Sequence, residues 1–136
     1  MAVITTHTAE TFNATMKSFA VSLPQELVEP FVQKLGTEAL SRIVMKTPVD
    51  TGRARGNWQV TIGTPAQGWD ETEVDKNGGA TINKGTSTIN QDLPPFPQIW
   101  ITNNVPYIER LEAGHGGRPA GVMVANTINE LGTMFV

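Results

Sequence analysis

The 136-residue sequence has no cysteine, so neither a disulfide nor a thiolate metal site enters its architecture. Histidine is nearly as scarce: His7 lies in an N-terminal stretch and His115 in a glycine-rich one. Neither setting holds a base within hydrogen-bond reach of a nucleophile, and no G-x-S-x-G is present, which argues against a serine hydrolase. Charged residues make up only 17% of the chain and the net charge is −3, so there is no basic footprint for wrapping nucleic acid. No apolar run approaches the roughly 20 residues of a membrane-spanning helix. The opening MAVITTHTAETF lacks the basic and apolar regions of a secretory signal. These absences lead to the expectation of a soluble protein made in a cytoplasm, with no membrane partner.

What is present is a turn-rich chain, with 13 glycines and 9 prolines and a hydrophobic share of 39%. That is enough for one core, and a single domain over residues 1–136 is expected. Within it, 1–8 reads as a Thr-rich extended arm and 65–80 as an exposed polar loop. Segments 9–64 and 81–131 together supply the core.

The chain is organised around residues 47–62, TPVDTGRARGNWQVTI. Pro48 cannot continue a helix. Asp50 and Gly52 bring turn chemistry. From Arg53 the pattern alternates, with Ala54, Gly56, Trp58, Val60 and Ile62 on one side, and it predicts a strand over 53–64 that turns Arg53 and Arg55 outward. Before it, Phe12, Met16 and Phe19 suggest a short amphipathic helix over 9–19. A capping box from Ser22 to Gln25 opens a longer helix to about Lys46, with Leu27, Phe31, Leu35, Ala39 and Ile43 in one row. Pro30 should kink that helix, and Gly36 should weaken it.

After the loop, residues 80–90 are ambiguous. Ile82 and Ile89 fit one helical face, but Gly85 and the threonines argue against helix. Residues 93–97 read as a stiff extended linker and 98–102 as a strand with Trp100 opposite Ile99 and Ile101. Asn103 and Asn104 form a turn. Pro106 opens a short helix closed by Gly114, and Pro119 opens the last one, carrying Val124, Ile128 and Leu131. The expected fold class is α+β: one long kinked helix packed on a small, mostly antiparallel sheet, with short C-terminal helices.

Four features could carry chemistry. Glu109, Glu112 and His115 have E-x-x-E-x-x-H spacing, as in bundle metal sites, but those sites need a second copy of the motif. A solvated or interface-facing acidic edge is favoured instead. The 114–118 loop has the glycines of a phosphate cradle without its G-K-[ST] ending. Arg53 and Arg55 on an acidic chain make a poor DNA site, and pairing with Glu109 and Glu112, within the chain or across to a neighbour, reads better. Trp100 calls for cover by a helix or by a partner.

Two motifs carry a resemblance. TPVDTGRARGNW at 47–58 and ITNNVPYIERLEAGH at 101–115 resemble the signatures of a minor tail-component family of tailed bacteriophages, the head–tail joining, tail-completion or neck proteins. Pro48, Asp50, Thr51, Gly52, Arg53, Arg55 and Trp58 match the first. Asn103, Asn104, Pro106, Tyr107, Leu111, Glu112 and Gly114 match the second, and Pro119, Ala120 and Gly121 are similar to the family's helix start. The match runs in order from about Pro24 to Leu131, and the departures lie in the N-terminal arm and the Pro-rich stretch 93–97. The resemblance implies an α+β virion subunit, without catalytic residues, metal or cofactor. Such subunits form a ring, expected to be a hexamer, at the head–tail junction. Its partners would be copies of itself and the neighbouring connector and tail-tube proteins, with DNA sliding through the channel unread. Arg53, Arg55, Trp58, Trp100, Tyr107, Glu109 and Glu112 are the candidate subunit-interface residues. Other expectations are a tube or baseplate subunit, a small metal-dependent enzyme using Glu109, Glu112 and His115, or a monomeric host-facing regulator.

Overall fold

The computed structural model describes residues 25–95, 97–114, 117 and 120–134. The arm 1–8, the helix over 9–19, the Ser22 cap, His115, Arg118 and the Pro119 helix start lie outside the described residues.

Five helices and two strands follow in the order α1 (Gln25–Lys46), α2 (Arg53–Gly56), β1 (Gln59–Ile62), α3 (Gly79–Ile89), β2 (Ile99–Thr102), α4 (Ile108–Ala113) and α5 (Val124–Met134). The fold is α+β. β1 and β2 pair antiparallel, with Gln59 opposite Thr102 and Ile62 opposite Ile99.

α1 is the spine. Its amphipathic row is buried at Leu35, Ala39 and Ile43 and flanked by Val32, Leu40 and Val44, while Leu27 at the helix start is 47% exposed. The helix runs on through Pro30; the missing amide falls near the exposed N-terminal end, where water serves the freed carbonyl. Gly36 is a contact point rather than a weakness. A Cβ there would lie 3.1 Å from Ile99 Cδ1 and 3.4 Å from Ile89 Cδ1, so the glycine lets α3 and β2 close on α1. Thr47 ends the helix, its hydroxyl donating to the Ile43 carbonyl at 2.7 Å.

Two expectations need correction. Residues 53–56 are a helical turn, not the start of a strand. Gly52, at φ 90, takes the Gly56 amide on its carbonyl at 2.9 Å and the Asp75 amide at 2.9 Å, closing a turn that a strand would keep open. The alternation of Ala54 and Gly56 reflects burial inside that turn, and the period-two strand begins only after Asn57.

Residues 79–89 are helical, against their propensity. Thr81, Gly85 and Ile89 form the buried face of α3. A Cβ at Gly85 would overlap Leu40 and lie 2.7 Å from Val60 Cγ2. Packing between α1 and β1 therefore requires the residue that propensity counts against. The helix start is capped from outside: the Asp75 carboxylate accepts from the Gly78 amide, the Thr81 amide and the Thr81 hydroxyl at 3.0, 2.8 and 2.7 Å.

The core joins both halves of the chain. Leu40, Val44, Trp58, Ile89, Ile99 and Met123 share one cluster, with Val60 and Ile62 packed against it. Leu35, Ala39, Ile128 and Leu131 form a second, where α5 lies along α1. The 65–80 loop is largely exposed. Among the described residues, no helix is long and apolar enough to cross a membrane.

Candidate functional site

The two motif segments fold into one joined unit. Asn103 donates from Nδ2 to the Ala54 carbonyl at 2.7 Å, and its Oδ1 accepts the Val105 amide at 3.2 Å. Tyr107 and Leu111 face Pro48, Asp50, Thr51 and Gly52 across a cleft of about 440 Å³. Asn104 reaches the other way, donating to the Ala66 and Gly68 carbonyls at 3.0 and 2.9 Å. Asn57 holds the same loop from below: its Nδ2 donates to the Arg53 and Asp70 carbonyls, and its Oδ1 accepts the Asp70 amide at 2.8 Å. The loop is thus exposed but pinned at Ala66, Gly68, Asp70 and Asp75.

Arg55 does not point away from the molecule. Its guanidinium donates to the carbonyls of Met45, Thr47 and Lys76 at 3.1, 3.0 and 2.7 Å. Two of those carbonyls sit at the C-terminal end of α1, which has orphan acceptors and a partial negative charge. Arg53 donates from Nε to the Glu71 carbonyl at 3.1 Å. Trp58 is 8% exposed, its indole N–H held by the Thr47 hydroxyl at 2.7 Å. The hydrogen bonds of both arginine side chains therefore run to backbone carbonyls rather than to Glu109 or Glu112, which corrects the within-chain pairing.

Glu112 has a different task. Oε1 accepts the amides of Met123 and Val124 at 3.1 and 2.9 Å, and Oε2 that of Ala125 at 3.0 Å. A carboxylate on the first amides of a helix satisfies orphan donors and suits the positive end of its dipole. The Glu112 carbonyl takes the Gly121 amide at 2.7 Å. Gly114, at φ 89, stops α4 where the sequence placed the stop. Glu109 and Pro106 are exposed. Among the described residues, no three His, Cys, Asp or Glu side chains are grouped to hold a metal.

Trp100 is half-buried. Its indole N–H donates to the Gly63 carbonyl at 3.0 Å, and its ring lines a groove of about 560 Å³ with Ile43, Trp58, Ile101, Met123 and Thr127. Glu109 and Glu112 also border the groove. The hydroxyls of Thr102 and Thr127 line it too, buried and without a hydrogen-bond partner. Sequence reasoning did not find Asn57, Asp75 or Thr127. Asp75 carried a signal, a carboxylate three residues before Gly78 and six before Thr81, that goes unused once 80–90 is denied a helix.

Two carboxylates are held below their usual range for different reasons. Burial pushes Asp75 up, and the hydrogen bonds from Thr81 and Gly78 overcome it. Glu130 is lowered by the Lys46 ammonium first and the Arg42 guanidinium second, each 2.7 Å away. That cluster is over a third exposed at Glu130, so its share of stability is about 0–1 kcal/mol per pair.

A scan against protein-family models, a search of curated proteins and a search of solved structures found no match to this chain.

Proposed function

We propose that this chain is a structural virion protein of a tailed bacteriophage, a neck or tail-completion subunit that forms a ring around the DNA channel at the head–tail junction. The observation that carries the reading is the joining of the two motifs. Segments 47–58 and 101–115 resemble one family's signatures, and Asn103 binds Ala54 while Tyr107 and Leu111 close over residues 48–52. Their spacing then has a physical reason: each segment completes the turn chemistry of the other. An acidic net charge of −3 also suits a channel wall along which DNA slides. Partners are other copies of the chain, expected in a hexamer, and the adjoining connector and tail-tube proteins.

Antibody labelling of purified virions, viewed by electron microscopy, tests this. Label confined to one spot between head and tail is the expected result. Label along the whole tail would make the protein a tube subunit. Unlabelled particles, with an antibody proven on the folded protein, would overturn the virion-surface assignment.

A further inference from the structure

The sheet stops one strand short of the helices beside it. Among the described residues it has only β1 and β2. The Gly63 amide donates to the Gln98 carbonyl at 2.8 Å, which marks those two residues as a hydrogen-bonded pair in the β1–β2 register. Backbone groups alternate along an antiparallel strand. Those of Trp100 and Thr102 therefore turn toward β1, and those of Ile101 turn toward the open edge.

That edge borders the groove. Three consecutive β2 residues, Trp100, Ile101 and Thr102, line it, and Met123 and Thr127 form the far wall. Thr127 is 1% exposed, and its hydroxyl has no partner, nor has that of Thr102. A buried hydroxyl left unpaired is costly, so this surface is incomplete in the isolated chain. An occupant has to bring hydrogen-bonding groups along with apolar side chains. An extended strand brings both, through its main chain and its alternate residues.

We propose that residues 2–6 of a neighbouring copy, Ala-Val-Ile-Thr-Thr, add to the open edge of β2 as a third strand. The segment is rich in β-branched residues and free of proline and glycine, the composition that fits a half-buried strand. It belongs to the 24 residues ahead of α1, outside the described structure. Donation by a neighbour rests on the ring reading: a closed ring needs one donor face and one different acceptor face on every subunit. The arm and the groove are such a pair.

The absence of cysteine makes the test clean. Full-length chains carrying Ile4→Cys, with Val3→Cys and Thr5→Cys as register controls, are mixed with full-length tagged chains carrying Thr102→Cys and oxidised mildly. A mixed disulfide at least tenfold above that formed with Glu29→Cys is expected. Val3→Pro with Thr5→Pro, which removes two main-chain donors, should abolish self-association in sedimentation. Thr127→Val should weaken association about tenfold without lowering the urea midpoint of the subunit, a split that a purely structural threonine would not give. A disulfide formed only within one chain, or association untouched by the prolines, overturns the proposal. Rings seen by microscopy without the mixed disulfide would sink the arm–groove contact and spare the ring reading. A chain monomeric throughout its soluble range, with no mixed disulfide, would count against both.

Discussion

The indole N–H of Trp58 donates to the Thr47 hydroxyl at 2.7 Å, and that hydroxyl donates onward to the Ile43 carbonyl at 2.7 Å. The two ends of the first motif are thereby fixed to the last turn of α1. Thr47 is 1% exposed and Trp58 8%, so neither partner can turn to water if the other is lost. Thr47→Val keeps the shape and strands the indole N–H, at a cost of about 1–3 kcal/mol. Trp58→Phe leaves the Thr47 hydroxyl its carbonyl acceptor but also removes ring volume from the core; the cavity is the larger part of its loss. Urea unfolding of both variants checks the values, with an unchanged slope as the sign that the folded state is otherwise intact.

Arg55 should be the more sensitive of the two arginines. It serves three carbonyls, whereas the Arg53 side chain reaches the single carbonyl of Glu71. Arg55→Met leaves the end of α1 without those donors and should cost about 2–3 kcal/mol, at the strength of hydrogen bonds made by a charged group. Arg55→Lys should recover only part, because a single ammonium cannot reproduce the planar fork. Arg53→Met should stay within about 0.5 kcal/mol. Equal effects at the two positions, measured by thermal unfolding, would contradict this assignment.

Glu112 is expected to matter for α5 before it matters for any neighbour. Glu112→Ala removes the acceptor of three amides and should destabilise the chain by about 1–2 kcal/mol, the scale of a lost N-terminal cap. Glu112→Gln keeps one acceptor oxygen and should lose less. Hydrogen exchange at Met123, Val124 and Ala125 reads the effect directly: protection should fall there first. Charge reversal across a subunit boundary is therefore better tried at exposed Glu109, where refolding of α5 does not confuse the outcome.

Asp75 gives the molecule a defined weakness toward acid. Its carboxyl is held below the usual range, so the unfolded chain binds the extra proton at a higher pH than the folded one. The stability it contributes is complete above the ordinary aspartate value of about 4 and is lost as pH falls through the lowered folded value. Urea midpoints measured from about pH 5 downward should drop more steeply in the parent chain than in Asp75→Asn, which lacks that proton uptake. Parallel curves would mean that the cap contributes nothing pH-dependent. Glu130 titrates in the same direction against Lys46 and Arg42, so some slope remains in the variant.

How much of this was legible depended on where the causes lie along the chain. α1 was legible because its apolar row repeats within one helix, and Gly114 because a helix stop is a local event. Val124, Ile128 and Leu131 were readable for the same reason, and the last two are 2% and 1% exposed. The turn at 53–56 was not, because the alternation of Ala54 and Gly56 is equally good for a strand until the Asp75 amide closes on Gly52. The Glu112 cap and the Arg55 anchor were hidden for a related cause. Each acts on backbone groups eight or more residues away, and backbone groups leave no trace in residue type.

The hardest miss, α3, also gives the sharpest prediction. On propensity, Gly85→Ala should stabilise a helix interior by about 1 kcal/mol. In the folded chain the added methyl has nowhere to go, meeting Leu40 on one side and Val60 Cγ2 at 2.7 Å on the other. Those side chains are held in turn, Leu40 being fully buried and Val60 lying in the sheet. Overpacking of this kind costs about 1–3 kcal/mol, enough to cancel the propensity gain and reverse its sign. The variant should unfold at a lower urea concentration than the parent. Asn83→Ala, on the exposed side of the same helix, should unfold at a slightly higher one. If both alanines stabilise, α3 is held by its own preferences and not by α1 and β1, and the account of why a glycine–threonine segment becomes helical would have to be given up.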